Sequence, residues 1–294
     1  MLARILGIIL PVFSVVALGW LYAVRVKPDL GWVNRINIAV LLPALIFSAL
    51  ASRDFELAAN LPLIAGSIGV VLGSGLLAWP FAKLLHEDPR TWVPPMMFNN
   101  CGNMGLPLAY LSFGQQGLSA MVTLFTISNL AHFTLGVHIV KRDAALWPIV
   151  RSPMVVATFL GFAFALTHPP MPDWLTLAIK MVGDAAIPLM LISLGARLAD
   201  TRFNDWHLGV VGGLVCPLTG IAIAGLLTLV LDLDATQQGL LFIFGSLPPA
   251  VLNFMVAEQY RQEPSKVASI VLVGNMMAVL FVPLGLSLAL LGAP

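Results

Sequence analysis

Charge is what this chain lacks. Asp, Glu, Lys and Arg make up 10% of its 294 residues, against about 25% in a soluble globular domain. So little charge excludes both a soluble enzyme and a disordered chain. No sign predominates either: fifteen Lys and Arg against fourteen Asp and Glu leave +1, which excludes a basic surface for nucleic acid. Cysteine is scarce. Cys101 and Cys216 lie in apolar runs without CxxC or His-rich spacing, so neither a disulfide framework nor a zinc site is indicated. There is no nucleotide-binding loop, no HExxH and no GxSxG with a suitable partner. Transport driven by ATP hydrolysis and intramembrane hydrolysis both lack their machinery, and no cofactor is expected.

What is abundant is apolar sequence: 59% of residues are hydrophobic and mean hydropathy is +0.94. A membrane-spanning helix needs about 20 mostly apolar residues. That rule predicts an all-α membrane protein with ten spans, near 4–24, 31–51, 60–82, 92–113, 118–140, 149–167, 174–198, 207–231, 237–259 and 267–291. All seven Trp (20, 32, 79, 92, 147, 174 and 206) fall near span ends, the interfacial preference of that side chain. Twelve of the fifteen Lys and Arg collect on one side; Arg4 and Arg53 lie on the other and Lys180 inside span 7. The basic side is expected to be cytoplasmic, with both termini outside. The N-terminal apolar run has no small-residue cleavage site and is expected to remain as a span.

The two halves of the chain match at a nearly constant offset. Pro11 and Gly19 correspond to Pro153 and Gly161, Pro43 and Ser48 to Pro188 and Ser193, and Asn129 to Asn275. Five spans per half is an odd number, so residues 1–141 and 149–294 are expected to form two inverted repeats. Inverted repeats are typical of secondary carriers that alternate access around a midplane site.

Spans 4 and 9 carry helix breakers at equivalent positions. Span 4 reads Asn99-Asn100-Cys101-Gly102-Asn103-Met104-Gly105-Leu106-Pro107, and span 9 reads Gly245-Ser246-Leu247-Pro248-Pro249, with Asn253 following. Gly102, Gly105, Pro107, Pro248 and Pro249 are the expected breaks. Unwound backbone in a bilayer is tolerated only where it is buried in protein or lines a wet cavity. Half-helix N-termini then suit a carboxylate. Asn100, Cys101, Asn103 and Asn253, with Ser128 and Asn129 of span 5 and Ser48 of span 2, are the candidate substrate ligands. The alternative is that the breaks are packing kinks.

The run Asn100-x-x-Asn103-Met104-Gly105-Leu106-Pro107, the run Leu247-Pro248-Pro249-Ala250-Val251-Leu252-Asn253-Phe254-x-x-Ala257-x-x-Tyr260, and the stretch from Asp184-Ala185-x-x-Pro188 to Ser193-Leu194-Gly195 resemble the auxin efflux carrier family. That family includes plant auxin exporters and bacterial carriers of malonate-like and malate-like acids. The resemblance implies a scaffold of spans 1, 2, 6 and 7, a transport domain of spans 3–5 and 8–10, crossed broken helices in spans 4 and 9, and elevator-type movement. It makes Asn100 the crossover Asn, with Pro107 and Pro248 marking the breaks. The 141–148 connection lacks the long loop of many plant exporters, which implies a bacterial-type member in the inner membrane. Asn253 stands where plant exporters tend to have proline, which speaks against auxin specificity.

The expected function is therefore secondary transport of a small organic acid anion, either a dicarboxylate or an auxin-like monocarboxylate, with a homodimer formed through the scaffold. The alternatives are a sodium-coupled symporter of the bile acid type and a gated anion channel. A proton is favoured over sodium as coupling ion, because few acids lie near the crossing. His132 and Asp184 are the candidate proton carriers. Each also has a structural reading, His132 as a packing residue and Asp184 as the partner of Lys180 one turn away. Ser48 and Ser193 either line the cavity or bond back to their own helices.

Overall fold

Backbone amides in a bilayer must find partners within the chain, and a helix satisfies them locally. The computed structural model describes residues 1–52, 58–143, 151–167, 169–199 and 205–291; among these there are helices and no strand. Arg53, Trp147 and Arg202, three of the topology markers, lie outside the described residues. The helices are α1 (Leu2–Val26), α2 (Gly31–Leu50), α3 (Leu61–Leu84), α4 (Pro89–Met97), α5 (Cys101–Val140), α6 (Pro153–Thr167), α7 (Asp173–Ala199), α8 (Trp206–Thr228), α9 (Ala235–Ser246), α10 (Val251–Tyr260) and α11 (Pro264–Leu291). Seven of them, α1, α2, α3, α5, α7, α8 and α11, are long and apolar enough to cross a membrane. The short helices α4, α9 and α10 belong to the stretches in which the sequence places helix breakers.

The 40 residues of α5 would extend about 60 Å if straight, twice the hydrocarbon thickness. They do not run straight. Gly114 has φ 65° and ψ −151°, a conformation that glycine adopts at little cost. The chain doubles back there: a Cβ on Gly117 would lie 2.7 Å from the Ala109 carbonyl oxygen, Gly105 faces Met121, and Gly102 faces the Phe125 ring. The facing residue numbers sum to 226 or 227 throughout, so arms 101–113 and 115–140 form an antiparallel hairpin. This agrees with the division expected between spans 4 and 5.

Large apolar side chains cover the outer faces of α1 and α7, and small residues stand where these helices meet, as helix association in lipid favours. Leu2, Leu6, Leu10 and Leu18 of α1, and Trp174, Leu177 and Met181 of α7, are exposed. Where α1 packs on α7, a Cβ on Gly19 would stand 2.2 Å from the Ile192 carbonyl oxygen, and one on Gly195 would stand 1.9 Å from that of Val16. The two backbones touch reciprocally, and only glycine fits at either position. Helix α2 packs on α6 and α7, while α8 packs on α11, α9 and α3. Gly69 and Gly73 of α3 receive Leu227 and Ile223 of α8, so these glycines serve packing. One expectation fails. Trp92 is fully buried, because the packing around α4 encloses it, and it does not act as an interfacial anchor.

A polar network fastens the start of α4 to the turn between α10 and α11. Lys266 bridges Glu87 and Glu263, each at 2.8 Å. Thr91 donates to Glu263 at 2.6 Å, and Gln262 donates to Asp88 and Thr91. The hydrogen bonds from Lys266 and Thr91 hold the Glu263 carboxyl below its ordinary range, and the Arg90 guanidinium does the same for Asp88.

Two predictions follow from this packing. Gly195→Leu should lower the thermal unfolding midpoint of the purified protein, at a cost of about 1–3 kcal/mol or more from overpacking; an unchanged midpoint would contradict the α1–α7 contact. A carboxyl with a depressed folded pKa stabilises above its unfolded pKa and loses that contribution as pH falls through the folded value. Stability should therefore drop below about pH 4. Glu263→Gln should remove at most about 1 kcal/mol at pH 7, since the pair is half exposed, and should flatten the acid limb of the midpoint against pH.

Candidate functional site at the crossed helix breaks

Helix α4 ends at Met97 and α9 at Ser246, and the chain is extended over 98–100 and 247–250 before the next helix begins. Prolines 248 and 249 lie in the second extended stretch. Pro107 lies inside α5, just past the π-helical turn Cys101–Gly105, so the extended break precedes it. Gly102 and Gly105 lie in that turn.

The two extended stretches cross and bond to one another. Asn99 and Pro249 form an antiparallel bridge. The Asn100 amide donates to the Pro248 carbonyl at 2.7 Å, and the Ala250 amide to the Phe98 carbonyl at 2.9 Å. Asparagine side chains add further hydrogen bonds to carbonyls in and beside the crossing. Asn99 Nδ2 donates to Phe244 O, Asn253 Nδ2 to Phe98 O and Ala250 O, and Asn275 Nδ2 to Pro249 O and Val271 O. Asn100 Nδ2 donates to Asn275 Oδ1 at 2.7 Å. Asn100, Asn253 and Asn275 are buried.

Beside the crossing lies a cavity of about 170 Å³. Both restarting helices present their N-termini to it, through Cys101, Gly102 and Asn103 on one side and Ala250, Val251 and Leu252 on the other. The first amides of a helix have no intrahelical acceptor and carry partial positive charge. Among the described residues there are three π-helical turns, Asn37–Leu41, Cys101–Gly105 and His132–Gly136, and each contributes residues to this cavity. Such turns occur frequently at functional sites. Among the described residues no Asp or Glu lines the cavity, and the one charged lining residue is Arg197.

The sequence-derived candidates divide accordingly. Asn100, Cys101, Asn103, Ser128, Asn129 and His132 line the cavity. Asn253 is buried and engaged with the Phe98 carbonyl, so it holds the crossing together from behind. Ser48 donates back to Leu45 O at 3.1 Å and does not line the cavity, although Ser193 does. Asp184 pairs with Lys180 at 2.8 Å, both half exposed, and stands apart from the cavity. Of its two readings, the structural one has the geometry. His132 stacks on Phe98 with ring centroids 4.2 Å apart and planes 4° from parallel, and its Nε2 is buried without a hydrogen-bond partner.

Sequence reasoning missed Asn34, Asn37, Asn99 and Arg197 as lining residues. Asn99 was in the breaker run, but asparagines there were ranked by motif position. Asn37 opens a π turn that no proline or glycine announces. Arg197 was counted only as a topology marker, although the motif reaching Ser193-Leu194-Gly195 ends two residues before it.

Comparison with known proteins places this geometry. A family model described as membrane transport protein matches residues 4–146 and 142–286. The chain belongs to this family, the auxin efflux carriers. It is 26% identical to a Rhizobium meliloti protein named "Putative malonate transporter", over 95% of this chain and 93% of the relative. It is 28% identical to an uncharacterized transporter of Methanothermobacter thermautotrophicus, over 94% and 95% of the two chains. It is 24% identical to auxin efflux carrier component 3a of Oryza sativa subsp. japonica, over 44% of this chain and 22% of that one. The protein is an integral multi-pass membrane transporter and not an enzyme.

Asn275→Leu should leave Asn100 Nδ2 and the Pro249 carbonyl unpaired in the crossing. A cost of about 1–3 kcal/mol per orphaned group should appear as a lowered unfolding midpoint, and a midpoint equal to wild type would show that Asn275 does not hold the crossing.

Proposed function

We propose that the protein is a secondary active transporter of a small organic acid anion, which binds in the cavity beside the crossed breaks. One observation carries this reading: two helix N-termini converge on a single cavity that no acid among the described residues lines. A carboxylate there would receive backbone N–H groups and the field of two helix ends, without a fixed countercharge at the crossing. The Asn103 and Asn129 amides and the Ser128 hydroxyl are positioned to complete its hydrogen bonds. The relative named for malonate supports a dicarboxylate; the rice carrier, matched over less than half of this chain, gives weaker support to an auxin-like acid.

In this reading the chain makes ten passes as two inverted five-span repeats, 1–141 and 149–294. Helix α4 with the first arm of α5 forms the fourth pass, and α9 with α10 forms the ninth. The packing of α1 on α7 and of α2 on α6, against that of α8 on α9, α11 and α3, supports a scaffold of spans 1, 2, 6 and 7 beside a transport domain of spans 3–5 and 8–10. The transport domain would move as an elevator, and the scaffold would form a homodimer. The basic face is cytoplasmic, both termini are outside, and the membrane is a bacterial inner membrane.

Coupling is assigned to a proton at His132, whose buried Nε2 has no partner; a histidine is the side chain that titrates nearest neutral pH. A sodium-coupled reading has its own observation, because the buried side-chain oxygens of Asn99 and Asn253 also have no donor.

The test is counterflow in proteoliposomes preloaded with malonate, malate or indole acetate, with and without pH and sodium gradients. Saturable exchange of a dicarboxylate, accelerated by a pH gradient and reduced at least tenfold in Asn103→Ala, is the expected result. Stimulation by sodium alone would transfer the coupling to the amide oxygens. Flux without counterflow would replace the carrier with a channel, and no exchange of any acid would remove the substrate class.

A further inference from the structure

The cavity at the crossing has a neighbour. A second space of about 700 Å³, bordered by Lys27, Asp29 and the ends of α1 and α7, shares two lining residues with the first: Asn34 of α2 and Arg197 of α7. These two side chains therefore border both spaces. Asn37, one turn along α2 from Asn34, lines the first cavity only. It is buried, and its side-chain amide can donate to an anion through Nδ2.

Helical geometry sets the scale. Met190 of α7 reaches the level of Gly102, since a Cβ on that glycine would lie 3.1 Å from Met190 Cε. Arg197 follows seven residues later on the same helix, about 10 Å along the axis. Side chains on a helix lean toward its N-terminus, which directs the Arg197 guanidinium back past Ser193 toward the crossing and shortens that distance. Arg197 and the helix N-termini thus stand at different levels of the same cavity. A guanidinium binds a carboxylate through two parallel N–H donors, whereas helix-end amides supply only partial charge. The two ends of the cavity thus offer two anion sites of different kinds.

We propose that Arg197, with Asn34 and Asn37 of the same cavity, binds the second carboxylate of a short dicarboxylate whose first carboxylate sits at the helix N-termini, and so selects dianions over monoanions. This rests on the reading of the cavity as an organic-anion site. It assigns the specificity of that site to a residue outside the crossing motif.

The test uses malonate and monomethyl malonate, which share a carbon skeleton and differ by one negative charge at neutral pH, as competitors for exchange by the full-length protein in proteoliposomes. Wild type is expected to prefer malonate. Arg197→Gln should weaken malonate about tenfold to a hundredfold, the range for a lost charge-assisted hydrogen bond, and change the monoester less than about threefold. Arg197→Lys keeps the charge without the fork and guards against a folding defect in the glutamine variant; its loss should be smaller and again confined to malonate. Equal losses for both acids, or no loss for either in both variants, would overturn the assignment while leaving the carrier reading in place. Failure of wild type to exchange either acid would overturn the carrier reading and this inference together.

Discussion

Two backbone hydrogen bonds, Asn100 N–H to Pro248 O and Ala250 N–H to Phe98 O, are the constraint on which the structure depends. Unwinding a helix in the bilayer frees several amides and carbonyls, each costly in hydrocarbon. Crossing two such segments lets each satisfy the other. Asparagines extend this pairing because a primary amide donates without adding charge. Asn99, Asn253 and Asn275 each direct an Nδ2 at a carbonyl in or beside the crossing. What the crossing leaves over is directional: the N-terminal amides of two helices, facing one space.

That residue of polarity gives the cavity its chemistry. A site built from amides and helix ends can stabilise an anion and still release it, because among the described residues no Asp, Glu, Lys or Arg stands at the crossing itself. Full charge enters only two helical turns away, at Arg197. The interior asparagines therefore serve two ends. Asn100 both lines the cavity and holds Asn275, so loss of transport in an Asn100 variant reports on architecture as well as on binding. The cavity-facing Asn103 and the distal Arg197 separate those effects.

Much of the fold was legible in the sequence, for physical reasons. Long apolar runs bounded by charge marked the helices, and the paired proline and glycine clusters marked the breaks because they remove donors and stiffness from the backbone. Other positions differ from their sequence reading for local reasons. Pro107 lies within α5 beyond the π turn, so the chain breaks before it. A serine in an apolar helix can satisfy itself on the preceding turn, and Ser48 does so. Asn253 carried the right chemistry but faces the wrong side of its helix. Asn37 and Arg197 were invisible because π turns and the lean of a long side chain have no compositional signature. Asp184, suspect for its depth in the sequence map, pairs with Lys180 on the surface of the helix bundle.

The central claim is that an organic anion sits between the N-termini of α10 and the first arm of α5. The most direct measurement is an experimental structure of the protein with malonate bound. The account predicts carboxylate oxygens within hydrogen-bond distance of backbone amides among residues 101–103 or 251–252. Malonate bound elsewhere, such as in the apolar space between α5 and α6 lined by Phe159 and Phe162, with the crossing unoccupied, would contradict it.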